Sequence, residues 1–248
     1  MLWGSSYTWI KVGLETIPPV TLMGARVLLA SVLLLGMMTA RELAFPRTRA
    51  LWQALVVQSI LNCSLAWLVL AWGTQFIASG TAGVLNSTSP LFVVVLTLFL
   101  SKRFVWREVA GAAIGFAGVV LIVGPAAFQG ASSAQMWAYA AVLFGAFLYA
   151  CAALNGKRLN TLHPLVTATG TMLCAAVALL PLALFDKPWT LTPSARSLGA
   201  VVLSGVFSTA IAMTIYFRLV RTLGALGVAS QAYLRAGFGF TPISRTHL

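Results

Sequence analysis

The chain has 248 residues, 60% hydrophobic and 8% charged, with 16 Lys+Arg against 4 Asp+Glu and a formal net charge of +12. Soluble domains carry about 25% charged residues, so this composition, with a mean hydropathy of +0.93, excludes an ordinary soluble domain and specifies a polytopic all-α membrane protein. The basic residues are scattered between apolar stretches rather than gathered on one face, which argues against nucleic acid as a partner and for determinants of orientation in a lipid bilayer.

Residues 2–14 are apolar and aromatic but fall short of the ~20 that a helix needs to cross a ~30 Å hydrocarbon layer. They read as the second half of a first helix whose beginning is absent. Pro18-Pro19 closes a turn, and a second span runs over about residues 20–40 with Arg26 inside it. The third, about 51–72, holds Gln58, Asn62, Ser64 and Trp67. Residues 80–125 form a hairpin of two spans around a basic turn, Lys102, Arg103 and Arg107 against Glu108. Its first arm carries Asn86, Ser87, Thr88 and Ser89 ahead of Pro90, polar groups and a helix breaker at lipid depth. Such groups must be satisfied by neighbouring helices or line a water-filled cavity. A sixth span is expected over 136–154, a seventh over 165–185 and an eighth over 197–217. A ninth begins at Gly224 and stops near Phe240.

Alternate loops collect Arg41, Arg47, Arg49, Lys102, Arg103, Arg107, Lys157, Arg158, Arg218 and Arg221, whereas the opposite loops hold Lys187 and Arg196. That asymmetry places the C-terminal ends of the even-numbered spans in the cytoplasm. The chain also repeats itself weakly. Gly80, Gly83 and Val84 match Gly224, Gly227 and Val228 at an offset of 144, and Trp72 falls on Tyr216. An odd number of helices in each half would invert one half relative to the other, a pattern of secondary transporters.

Covalent chemistry finds little support. Cys63, Cys151 and Cys174 lie inside apolar segments without CxxC spacing, and His163 and His247 are the two histidines, so no metal site is expected. No cofactor and no catalytic residue is predicted. A lipid-directed enzyme would need paired carboxylates or a nucleophile and base, and His163 has no acid near it in sequence.

The WGSSYTWIKVGL opening, the PPVTLMGARVLLA segment, GTAGVLNSTSPLF and GFAGVVLIVGP occur in an order and spacing that resemble the drug/metabolite transporter superfamily, EamA type, over residues 3–234. The resemblance implies ten helices in two inverted five-helix repeats. It implies movement of small metabolites, often amino acids or related compounds, across the inner membrane by alternating access, frequently outward. It divides the chain into a first repeat, 1–124, with helix 1 incomplete; a second repeat, 136–240, of helices 6 to 9 without helix 10; and a tail, 241–248. After Ala232-Tyr233-Leu234 the family shows an acidic or neutral residue and a proline, whereas this chain has Arg235, Ala236 and a polar ending. The ending reads as a truncation or frame change, leaving a non-transporting fragment, or as a shortened member that dimerises.

The candidate pathway residues are Arg26, Asn62, Trp67, Asn86, Ser87, Thr88, Tyr149, Gln231 and Lys11. Intramembrane ionisable groups are functional candidates by default. Arg26 and Lys11 would attract the carboxylate of an amino acid or organic anion, Arg26 in bidentate fashion. The alternatives are that Lys11 snorkels or pairs with Glu15, and that Arg26 pairs with Glu15 or a helix end. Asn62, Asn86, Ser87, Thr88, Tyr149 and Gln231 offer neutral hydrogen bonds to a small-molecule substrate or, alternatively, between helices. Trp3, Tyr7, Trp67 and Trp72 form either an aromatic wall or interface anchors. Gly111, Gly115 and Gly118 form a small-residue face for packing between helices or in a homodimer.

Overall fold

The structure, a computed structural model, describes residues 6–101, 105–127 and 133–230. Every regular element among them is helical. In chain order these are α1 (Ser6–Gly13), α2 (Pro19–Ala40), α3 (Arg49–Ser59), a π-helical turn π1 (Ile60–Ser64) and α4 (Leu65–Gly73). Then come α5 (Ser79–Asn86), α6 (Ser89–Ser101), α7 (Trp106–Ala127), α8 (Ser133–Gly156) and α9 (Pro164–Phe185). The order closes with α10 (Ala195–Gly205), a second π turn π2 (Val206–Ile211) and α11 (Ala212–Ala229).

Among the described residues, six stretches are long and apolar enough to cross a membrane: Pro19–Ala40, Arg49–Gly73, Gly80–Leu100, Ser133–Leu159, Pro164–Phe185 and Ala195–Ala229. They cover the expected second, third, fourth, sixth, seventh and eighth spans, and the last of them runs on past Gly224 into the expected ninth. The first expected span is represented by the eight-residue α1, and the fifth by the 22-residue α7. The expected ninth span begins where α11 breaks, at Gly224 with φ 72° and ψ −174°. Only glycine holds that backbone without a Cβ penalty. The continuation toward Phe240 lies outside the described residues.

The exterior is that of a protein dissolved in lipid. Phe185, Leu121 and Val177 are exposed on helix flanks, while Arg26, Gln58, Asn62, Asn86, Thr169 and Thr209 are buried. With hydrocarbon outside, polar groups are driven inward to find partners. Trp106, Trp137 and Trp189 are exposed near helix ends, where aromatic rings anchor at the headgroup level. Trp72 is likewise exposed, its ring 5.1 Å from that of Phe76. On α7, a Cβ built on Gly111 or Gly118 would meet nothing within 4 Å among the described residues.

The first half of the chain, through α7, and the second, from α8, meet along α2 and α9. Both are 22-residue helices that open with a proline, whose missing N–H costs nothing in a first turn. They run antiparallel: Gly24 lies against Ala183, and Thr169 Oγ1 donates to the Leu34 carbonyl at 3.4 Å. The core beside this seam gathers Met23, Val27 and Leu34 with Met172, Ala175 and Leu179. The next span of each half is interrupted by a π turn, π1 after eleven residues of α3 and π2 after eleven residues of α10.

Candidate functional site

Arg26 lies one-third of the way along α2, about 10 Å from the start of the helix at 1.5 Å per residue, and is 2% exposed. Its guanidinium carbon stands 4.3 Å from the centre of the Trp67 ring on α4. Its Nε donates to Thr209 Oγ1 at 2.5 Å and its Nη2 to the Ser208 carbonyl at 3.3 Å, both on π2. One side chain thus contacts both interrupted spans, on the helix that follows π1 in the first half and on π2 itself in the second. A charge at mid-membrane costs about 2.5–3.5 kcal/mol on insertion scales. A desolvated cation–π contact returns about 2 kcal/mol or more, and hydrogen bonds to a charged group about 1.5–3 kcal/mol each, so the charge is held without a carboxylate contact of its own being required.

Two local features make this reach possible. A π turn shifts the backbone pairing by one residue, and such turns are frequent at functional sites. In π2, Thr209 Oγ1 donates to the Ser204 carbonyl five residues back at 2.9 Å, which leaves its lone pairs for Arg26. Gly205, the last residue of α10, supplies the close approach: a Cβ there would stand 2.8 Å from Leu29 Cδ2 and 3.4 Å from the Arg26 carbonyl.

Asn62 belongs to the same layer. It sits on π1, and its Nδ2 approaches Met213 Sδ at 3.9 Å, one helical turn beyond Thr209. Ser59 and Ser64 close π1 with a 3.3 Å hydroxyl contact. The structure therefore brings Arg26, Trp67 and Asn62 together around the two π turns.

The Asn86 group forms a second locus, at the junction of α5 and α6. The hydroxyls of Ser87, Thr88 and Ser89 turn back onto the carbonyls of Gly83, Leu85 and Asn86 at 2.8, 2.7 and 2.8 Å. Asn86 is 1% exposed, and neither Oδ1 nor Nδ2 has a partner. An unpaired buried amide is costly, and among the described residues it is the one amide with both polar atoms in this state. Tyr149 packs against both the cluster containing Trp67 and the cluster containing Leu85, which places it between the two loci. Lys11 is exposed on α1 and its expected pairing with Glu15, also exposed, does not form. Gln231 lies outside the described residues.

Further polar contacts tie the halves together above and below this layer. At the end away from the basic loops, Asp186 Oδ2 accepts the Thr21 amide at 3.1 Å and hydroxyl at 2.8 Å. There too the Ser194 amide donates to Thr16 Oγ1 and Ser197 Oγ to the Val12 carbonyl. At the basic end, Asn155 Nδ2 donates to the Ala54 carbonyl at 3.0 Å and to Gln58 Oε1 at 2.9 Å.

Sequence reasoning missed Ser208, Thr209 and Asn155. The element boundaries supply a register that leads to the first two. Arg49 and Ile60 open α3 and π1, while Ala195 and Val206 open α10 and π2, so this pair of spans repeats at 146 rather than 144. Carried by 146, Asn62 and Cys63 fall on Ser208 and Thr209. His163, weighed as a catalytic group, instead caps α9: its Nδ1 accepts the Leu165 amide at 3.2 Å.

A lipid-exposed helical bundle with a buried cation and polar side chains at its seam defines a multi-pass membrane protein of the transporter kind. The sequence model of the EamA-like transporter family matches residues 1–124 and 136–234, and the chain belongs to that family, within the drug/metabolite transporter superfamily. It is 28% identical over 235 residues to the uncharacterized inner membrane transporter YedA of Escherichia coli (strain K12), covering 94% of this chain and 76% of the relative. It is 27% identical over 236 residues to a probable terminal-alkyne amino-acid exporter of Streptantibioticus cattleyicolor, covering 94% and 77%. A solved crystal structure superposes with a TM-score of 0.73 at 20% identity, over 96% of this chain and 85% of the other, a likeness of fold. The protein is a multi-pass inner membrane protein of a transporter family rather than of an enzyme family.

Proposed function

We propose that this chain is a secondary transporter that carries a small polar metabolite bearing an anionic group, an amino acid or a related compound, outward across the inner membrane by alternating access. The observation that carries the reading is Arg26, a permanently charged side chain buried at membrane depth and contacted by Trp67 of α4 in the first half and by Thr209 of π2 in the second. Arg26, Trp67 and Asn62 form the central subsite, and Asn86, Ser87, Thr88 and Tyr149 the adjoining wall. Lys11, being exposed, serves at the mouth.

Two inverted repeats account for the matched elements. α2 and α9 are equal in length and antiparallel, and α3–π1–α4 and α10–π2–α11 share one order of elements. In that reading nine spans form the chain, and the ties at either end act as the outer and inner gates. The exporter name of the relative from Streptantibioticus cattleyicolor supports the amino-acid class and the direction.

The test is counterflow in proteoliposomes with a panel of labelled amino acids and small organic acids. The native chain exchanges at least one of them, and Arg26→Leu abolishes that exchange while the protein remains monodisperse. Exchange at the native rate by Arg26→Leu removes the site, and failure of the native chain on the whole panel removes the substrate class.

A further inference from the structure

We infer that Thr209 and Ser208 are built-in competitors for the anion that Arg26 takes, so that occupation of the site releases the second π turn from α2. The inference rests on the reading of Arg26 as the group of the pathway that meets an anion.

The geometry gives the competition its form. Trp67 covers a face of the guanidinium at 4.3 Å, which leaves binding to its edges. The edge made by Nε and Nη2 is held by two neutral acceptors of π2, the Thr209 hydroxyl and the Ser208 carbonyl. A carboxylate prefers such a two-nitrogen edge because its two oxygens accept in parallel, and charge-assisted bonds are roughly twice as strong as neutral ones. Both ligands use the same two nitrogens, so an incoming carboxylate there displaces both contacts.

Displacement has a consequence for π2. The Thr209 hydroxyl is oriented by its bond to the Ser204 carbonyl and cannot follow the guanidinium. Once displaced, π2 keeps its packing but loses these two bonds to Arg26 of α2. The anion thereby exchanges a bond between the halves for a bond to itself. A site whose competent state is only partly populated binds with a Kd raised by that fraction, so Thr209 sets the threshold concentration at which the seam loosens.

Benzoate, a planar carboxylate, serves as the probe for the full chain in detergent. Its Kd is read by thermal-shift titration, and hydrogen exchange is followed over residues 206–211. In the native chain benzoate accelerates exchange in this segment. Thr209→Val keeps the shape and removes the acceptor. It starts with the faster exchange and binds benzoate about tenfold more tightly. Thr209→Ser restores the native Kd, and Arg26→Gln loses the response. Should the valine variant fail to fold, Thr209→Ala carries the same expectation.

An equal Kd in the native chain and in the acceptor-less variant overturns the inference. So does a native response in Arg26→Gln, or no benzoate binding when the acceptor is gone. Counterflow separates the two readings. Affinity that depends on Thr209 without any flux removes transport and leaves the competition, whereas flux with affinity indifferent to Thr209 removes the competition and leaves transport.

Discussion

Asp186, in the second half of the chain, caps a helix of the first: its Oδ2 accepts both the amide and the hydroxyl of Thr21 in the opening turn of α2. The helix needs this help, because Pro18 precedes it and supplies no side-chain cap. A carboxylate at a helix N-terminus satisfies an orphan N–H and complements the positive end of the dipole. Asp186→Ala is expected to lower stability by about 1–2 kcal/mol. Hydrogen exchange should rise selectively in the first turn of α2, and Asp186→Asn should fall between. Uniform exchange along α2 in the alanine variant would show that the carboxylate does not hold the helix end.

At the opposite end the tie is an amide pair. Asn155 bonds the Ala54 carbonyl and Gln58 Oε1, while Gln58 Nε2 has no partner. Asn155→Ala leaves Gln58 Oε1 buried without its donor and is expected to cost about 1–3 kcal/mol. Removing both amides, as Asn155→Leu with Gln58→Leu, should cost less than the sum of the single changes, because no buried group is then left waiting. Strict additivity in thermal unfolding of the four proteins would contradict the pairing.

Much of the fold was legible because the bilayer simplifies the problem. Length and hydropathy alone mark α2, α9 and the spans around π1 and π2, since lipid-crossing segments must be helical. Arg26 was legible for the same reason, as a charge inside an apolar run. Its partners were not. The Ser208 carbonyl acts through the backbone and Thr209 through a shift of helical register, and neither has a signature in residue type. The unpartnered state of Asn86 was equally hidden. It depends on Ser87, Thr88 and Ser89 bonding to carbonyls of α5 three or four residues back rather than to the amide, a choice of rotamer that sequence does not record.

Gly205 tests how tightly the site is assembled. Alanine there meets the mobile end of Leu29, which turns aside, so Gly205→Ala should be nearly silent. Valine adds branches beside the Arg26 carbonyl and should cost about 1–3 kcal/mol by overpacking. It should also push α10 from α2 and weaken the bond from Arg26 to Thr209. The check is a cycle of Gly205→Val with Thr209→Val. The second change should cost less in the Gly205→Val background than alone, and an undiminished cost would show that the helices do not need this approach.

Asn86 separates stability from function. Its amide is buried with neither polar atom bonded, a state that costs free energy and persists in proteins mainly where something else uses the group. Leucine is close in shape and has no polar atoms to satisfy. Asn86→Leu is therefore expected to raise stability by about 1–3 kcal/mol, visible as a higher unfolding temperature in detergent. If the amide contacts substrate, as proposed, counterflow should fall at least tenfold in the same variant, since losing one hydrogen bond to a polar ligand is worth about that factor. A more stable variant with native flux would assign Asn86 to neither packing nor transport and would confine the pathway to the layer of Arg26. A less stable one would show that the amide finds partners within the bundle after all.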